Sequence, residues 1–252
     1  YVHSIISFKN GLIKMLLYKP DMKIPISNIL YKSDSQFSKV IKINSKILNN
    51  MDFLQVDKKK FPLILGGEHS LTPGAIRPFV KKFGKICLLH FDAHADLRNS
   101  YNGNKFSHAS AIRRCLDNHN VSVVSFGIRN ISSSEIPFLN KNKKRIKIYW
   151  AKDKLKWNLN KLKQILRNKK VYLTFDVDGL ASSVMPATGT PEPGGLFWNE
   201  TINIIKTAAQ SSDIVGADIN ELSPIKGFDS YNFLAAKLAY KIIAYSFEFK
   251  KN

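Results

Sequence analysis

The sequence predicts an α/β protein built on a mainly parallel sheet with helices on both faces. Three observations carry this. From residue 61 onward strand-like and helix-like segments alternate, the order that generates parallel sheets. The strands read as continuous apolar runs such as Ile86-Cys87-Leu88-Leu89, as expected when both faces are covered. Three of the runs then end in acidic and histidine residues. In parallel α/β sheets ligands bind beyond the carboxyl ends of the strands.

Taken in order, Phe61–Leu65 is a strand closed by Gly66-Gly67. Ser70 or Thr72 is placed to cap a helix running to Lys82, with Gly84 as its stop. Lys85–Phe91 is a strand, Ala109–Asp117 a helix, Val121–Ile128 a strand, Ser133–Asn140 a short helix and Ile146–Trp150 a strand. Leu159–Leu166 is helical and Val171–Val177 is a strand. A Gly/Pro-rich loop follows through Gly195. Asn199–Ser211 is a helix, Ile214–Ile219 a strand and Ser230–Phe247 a long final helix. Residues 1–60 are harder to read. Met22–Ile26 reads as an edge strand and Gln36–Met51 as a lysine-rich helix, and neither carries recognisable chemistry. The chain opens on Tyr1 rather than Met, which fits a fragment or a missing natural start. One domain over 1–252 is the expected organisation.

Composition narrows the function classes. With 44% hydrophobic residues the chain is globular. It has no apolar run of the ~20 residues that span a bilayer, and Leu12–Leu17 is interrupted by Lys14 without a cleavage pattern. Two cysteines, Cys87 and Cys115, fit a reducing, cytoplasmic setting. The formal charge of +20 and the patch Lys141–Arg145 raise nucleic-acid binding. The charge is nevertheless spread along the chain, mostly as Lys, with no nucleic-acid motif. It reads as a solvated surface, and neither nucleic acid nor membrane is expected as a partner.

The strand ends are where chemistry concentrates. The first gives Gly66-Gly67-Glu68-His69-Ser70, the second Asp92-Ala93-His94-Ala95-Asp96, the third Asp176-Val177-Asp178. In an extended backbone positions i, i+2 and i+4 share a face, ~6–7 Å between neighbours. A lone His after two glycines is more often a turn residue, and a lone Asp-x-Asp more often a cap. Three polar side chains on one face after a buried strand must be solvated or ligated, and three such strand ends together point to a metal centre. Four carboxylates and two imidazoles without cysteine favour Mn²⁺, with Fe or Co also compatible, over a structural Zn site. A pair of ions ~3.5–4 Å apart would make water a nucleophile near neutral pH.

These motifs resemble the ureohydrolase (arginase/agmatinase) family: Gly-Gly-Glu-His-Ser, Phe91-Asp-Ala-His-Ala-Asp96, and Phe175-Asp-Val-Asp-Gly-Leu running to Pro186-Ala-Thr-Gly-Thr-Pro-Glu-Pro-Gly-Gly195. The resemblance covers Phe61 to the C-terminus. It implies a three-layer α/β/α sandwich, two Mn²⁺ ions per subunit and a homo-oligomer, trimer or hexamer. It further implies that His69, Asp92, Asp96 and Asp176 bind one ion and Asp92, His94, Asp176 and Asp178 the other, with Asp92 and Asp176 bridging. Within the family the stretch Asp96 to Arg114, with its Ser107-His108 element, and Phe126-Gly-Ile-Arg129 are most similar to agmatinases. Arginase residues for the α-carboxylate and amine are not found in that loop.

Gly216-Ala-Asp-Ile-Asn-Glu221 looks like the motif whose Glu holds the guanidinium. A carboxylate can do so through two parallel hydrogen bonds. The implied catalytic residues are therefore Asp96, His108 and Glu221, the last two also binding substrate. Histidine is suited to moving a proton because its unperturbed pKa is ~6.5. The implied reaction is hydrolysis of agmatine to putrescine and urea. Guanidinobutyrase, arginase or formimidoylglutamase activity, or a catalytically impaired metal-binding homologue, are the alternatives. Ala181 and Ser182 replace the Asp and Pro that the family carries there, and the family's first strand is not recognised, which would leave a sheet edge uncovered. His3, His90 and His119 are assigned to structure or surface.

Overall fold

The computed structural model describes residues 14–18 and 61–250. Seven strands form one sheet in the order β1-β2-β7-β6-β3-β4-β5. They are β1 (Lys14–Tyr18), β2 (Phe61–Leu65), β3 (Ile86–Phe91), β4 (Val121–Phe126), β5 (Ile146–Tyr149), β6 (Lys170–Asp176) and β7 (Asp213–Asn220). Strands β2 to β7 are parallel, and β1 pairs antiparallel with β2, Lys14 opposite Leu65. The edge expected to be bare is therefore covered by a strand the sequence reading did not assign. Its apolar run is only a few residues long and starts at a lysine, too little for periodicity to register. The segments Met22–Ile26 and Gln36–Met51, and His3, lie outside the described residues.

The helices are α1 (Thr72–Ala75), α2 (Arg77–Phe83), α3 (Ala111–Leu116), α4 (Ile136–Lys141), α5 (Leu159–Leu166), α6 (Trp198–Ser211) and α7 (Asp229–Glu248). Successive strand residues point to opposite faces, and the core divides accordingly. Leu63, Leu65, Leu89, Phe91, Leu173 and Phe175 join α5, α6 and α7 in one apolar cluster. Ile64, Ile86, Leu88 and Tyr172 join α2 and α3 in another, with α4 packed against it. The result is the α/β/α layering expected.

Most elements fall within one or two residues of expectation, and the first helix differs most. Neither Ser70 nor Thr72 caps it: the Ser70 hydroxyl donates to Glu68 and the Thr72 hydroxyl to Asp218. The chain instead enters through a 3₁₀ turn, His69–Leu71, and breaks between α1 and α2. Pro78 near the start of α2 has no N–H to continue the ladder. Gly84 does end α2, at φ +74°, a conformation that glycine adopts without steric cost. Part of the basic patch is structural as well, since Arg145 donates to the carbonyls of Leu116, Asn118 and Val121.

Candidate active site

The loops leaving β2, β3, β6 and β7 meet at the carboxyl end of the sheet. Two of them touch directly. A Cβ on Gly179 would lie 2.7 Å from the Asp92 nitrogen, so only glycine lets the β6 loop rest on the β3 loop. This contact brings Asp178 to the Asp92–Asp96 stretch, where its Oδ1 accepts from the Ala93 N–H at 2.9 Å.

Asp92 stands at the centre, with its two oxygens facing different partners. Oδ2 lies 3.1 Å from His69 Nδ1, and Asp96 Oδ2 and Asp176 Oδ2 lie 3.3 and 3.5 Å from the same nitrogen. Oδ1 lies 3.4 Å from His94 Nδ1, which is 3.0 Å from Asp178 Oδ2. All six predicted ligands are thus gathered into two donor groups sharing Asp92. The route differs from the simple extended reading. The strand ends at Phe91, and Asp96 has φ +51°, so the chain turns, sending Asp96 towards His69 and His94 towards Asp178. Asp176 stays on the His69 side, because its Oδ1 accepts the Asp178 N–H at 2.9 Å.

His69 carries the best test of whether a cation fits. It is fully buried. Its Nε2 pairs with Thr174 Oγ1 at 2.8 Å, and that hydroxyl donates to Asp218 Oδ1 at 2.6 Å. Thr174 therefore accepts from Nε2–H, which leaves the Nδ1 lone pair pointing at three carboxylates. Nδ1 makes no well-directed hydrogen bond. Something positive must sit between these groups. Burial works against positive charge on the ring, but Asp176, Asp92 and Asp96 outweigh burial and hold the His69 pKa well above its ordinary value. Donor separations of 3.1–3.5 Å are those of adjacent donors around one ion with bonds of ~2.0–2.2 Å.

The carboxylates say the same. Burial and then repulsion from neighbouring aspartates push Asp96, Asp176 and Asp178 upward. Asp92, although buried, is held well below the usual range by His69, His90 and His94. His94, despite burial, is raised to about 11 by Asp178 and Asp92. A cluster whose acids repel one another and whose imidazoles hold extra protons is balanced by divalent cations, to which carboxylate and imidazole donors are suited.

Beside the donor groups opens a pocket of about 310 Å³ whose lining includes His94, Asp96, Asp176, Asp178, His108 and Glu221. Glu221, just past the end of β7, has φ +64°. Its Oε1 accepts the His69 N–H at 2.7 Å. Burial, opposed by that bond, raises its pKa to about 7. Asp96 and Glu221 are both held in the left-handed region. For non-glycine residues that costs of order 1–3 kcal/mol and tends to mark functional sites. His108 opens the 3₁₀ turn His108–Ser110, and its Nδ1 pairs with Glu68 Oε1 at 2.8 Å. That contact raises its pKa. The structure thus places His108 and Glu221 in one pocket with the donor groups.

Several partners had no assigned role in the sequence reading. His90, assigned to structure or surface, is fully buried between Ser125 and Asp92, with Nε2 2.9 Å from Asp92 Oδ2. It lies close enough to His69 and Asp92 to share an ion with them. Arg129 donates to the carbonyls of Gly127, Asp178, Leu180 and Glu192 at 2.7–3.2 Å. It thereby ties the whole β6 loop to the β4 loop. Glu68, Thr174 and Asp218 complete the set. Glu68, Arg129 and Asp218 lie inside quoted motifs; Thr174 had no local signal, its partners His69 and Asp218 lying 105 and 44 residues away.

Among the described residues no helix is long and apolar enough to cross a membrane. The arginase family model matches residues 21–245. The N(1)-aminopropylagmatine ureohydrolase of Synechocystis is 34% identical over 194 residues, 75% of this chain and 62% of that protein. The guanidinobutyrase of Pseudomonas aeruginosa is 34% identical over 190 residues, 72% and 59%. The agmatine ureohydrolase of Thermoplasma volcanium superposes with a TM-score of 0.68 at 31% identity, covering 87% of this chain and 72% of that one. The chain spans about three-fifths of the length of the curated relatives it matches. Fold, motif order and sequence agree: this chain belongs to the arginase family.

Proposed function

We propose that the protein is a Mn²⁺-dependent agmatinase, hydrolysing agmatine to putrescine and urea. The observation that carries this is the half-buried carboxylate Glu221 standing in one pocket with the donor carboxylates and His108. An acidic pocket on a chain of formal charge +20 suits a planar cation, and the ionised carboxylate can hold a guanidinium by two hydrogen bonds.

His69, Asp92, Asp96 and Asp176 would hold one ion, and Asp92, His94, Asp176 and Asp178 the other, with His90 pairing to the shared Asp92. Two bound divalent ions supply Lewis acidity and an activated nucleophile from water. Glu221 binds and orients the guanidinium, with the His69 N–H fixing the position of its Oε1. Asp96 would accept a proton from the attacking water and pass it to the leaving amine. His108 exchanges protons between the pocket and solvent from a half-exposed position. Ala181 and Ser182 do not argue for an impaired homologue. The loop around them is held by the backbone bonds Ala181 N to Leu196 O and Val184 N to Ala181 O, and by Arg129. The two cysteines are buried and free, which suits the reducing cytoplasm expected. The expected trimer or hexamer is open to measurement by light scattering.

A second reading has one observation in its favour. Arg98 lines the same pocket, stacks on Tyr101 and has no carboxylate partner among the described residues. A free guanidinium there suits a substrate with a distal carboxylate, as in a guanidino acid. The deciding measurement is urea release by the Mn²⁺-loaded protein on agmatine, aminopropylagmatine, guanidinobutyrate and arginine. Turnover of agmatine above the rest is expected. A preference for guanidinobutyrate moves the assignment to the second reading, and no urea from any of them removes both.

A further inference from the structure

Glu68 belongs to neither donor group and makes no contact assigned to the substrate, yet its carboxylate is buried, 5% exposed. Among the described residues no lysine or arginine pairs with it. A buried carboxylate persists when its oxygens are satisfied, and these two are divided. Oε2 accepts the Ser70 hydroxyl at 2.9 Å, while Oε1 faces His108, 2.8 Å from Nδ1 and 3.4 Å from the backbone nitrogen. His108 is the opposite case. Its side chain is 44% exposed, and its only other ring contact among the described residues is the edge of Tyr101, at a centroid separation of 5.7 Å. An exposed imidazole of this kind is free to change rotamer unless one strong contact holds it.

We propose that Glu68 is a positioning residue for His108, its Oε1 accepting the Nδ1–H so that Nε2 is the nitrogen presented to substrate in the pocket. The consequence for turnover rests on the proposed function, in which His108 moves a proton; the orientation itself does not. The logic is that of any general base or acid whose far nitrogen is held by a carboxylate. Glu68 suits the task because the turn after Gly66-Gly67 places it between β2 and His69, at the start of the 3₁₀ turn His69–Leu71.

The test is a double-mutant cycle on the Mn²⁺-loaded protein with Glu68→Ala, His108→Ala and the double variant, alongside Mn²⁺ titration of each. General acid–base groups contribute ~10²–10⁴-fold. Glu68→Ala is expected to lower kcat by about 10- to 100-fold with KM within twofold and Mn²⁺ affinity unchanged. The double variant is expected to be no slower than His108→Ala alone, because residues acting through one another are non-additive. Glu68→Gln, which keeps an acceptor oxygen, should restore most of the rate. Losses that multiply, a raised KM with intact kcat, or weakened Mn²⁺ binding would each overturn the proposal.

A readout free of turnover is the order parameter of the His108 ring, followed by a ¹³Cε1 label. The ring is expected to be rigid in the parent and to fall below about 0.6 in Glu68→Ala. An unchanged order parameter rejects the positioning role. If the parent releases no urea, the functional reading fails, and this measurement still decides the orientation.

Discussion

The His69 group and the His94 group meet at Asp92 and are supported by different parts of the fold. His69 is fully buried, and behind it Thr174 and Asp218 belong to β6 and β7, so its support is the sheet itself. His94 has a side chain 26% exposed, and its support is a loop: Asp178, Thr190, which donates to Asp178 Oδ2 at 3.2 Å, and Arg129, which holds the carbonyls around them. One half of the centre is anchored in strands whose hydrogen bonds cannot move independently. The other depends on the short 3₁₀ turn Val177–Gly179 and the loop beyond it, where opening costs least. The two ions should therefore bind unequally, the sheet-side ion more tightly.

That contrast can be broken most severely at the shared carboxylate. Asp92→Ala should abolish binding of both ions and lower urea release by more than ~10³-fold, since a two-metal site loses nucleophile and electrophile together. Metal titration checks it, and retention of one ion at parental affinity would show that Asp92 is not shared. A more selective probe is Thr174→Val, which keeps volume but removes the acceptor for His69 Nε2–H. Outer partners of metal-ligating histidines are worth ~10–100-fold in affinity. That loss should fall on the tighter ion alone, with Thr174→Ser restoring it.

The pocket beside the two groups responds to pH. Glu221 is raised to about 7 by burial, so below pH 7 it is protonated and cannot pair with a guanidinium. KM for agmatine should rise about tenfold per unit below pH 7, and binding of the guanidino compound by Glu221→Gln should lose this slope. The smallest effect belongs to the loop side. Arg129→Lys keeps the charge but loses the planar fork, and should weaken the looser ion several-fold while leaving the tighter one unchanged. Limited proteolysis within residues 181–195 should accelerate in parallel. Equal weakening of both ions would mean that the loop and the sheet are not separate supports.

What was legible in the sequence follows from the range of the interactions. Strands β3 and β6 and helix α5 could be placed because apolar runs, breaks and polar strand ends are local signals. The six ligands could be collected because each sits at such an end. The division of those ligands between two ions came from the family resemblance and not from their spacing, since it depends on the turn at Asp96 and on the bond from the Ala93 N–H to the Asp178 carboxylate across the β3 and β6 loops. Thr174 looked like any strand residue until the fold placed it against His69, 105 residues away. Ser70 and Thr72 had cap-like positions but found better partners in Glu68 and Asp218. His90, on a core strand, carried no hint that its partner would be the residue two further on.

Arg129 grips the β6 loop by carbonyl oxygens and by no side chain of that loop. Carbonyls are present whatever residue occupies a position, so the grip is indifferent to the loop's sequence. Ala181 and Ser182 stand where the resemblance leads one to expect a carboxylate and a proline, and Arg129 reaches the Leu180 carbonyl beside them. Residues along the rim of the pocket are thereby released to vary without dismantling the centre beneath them. A scaffold of this kind can change what it recognises one substitution at a time.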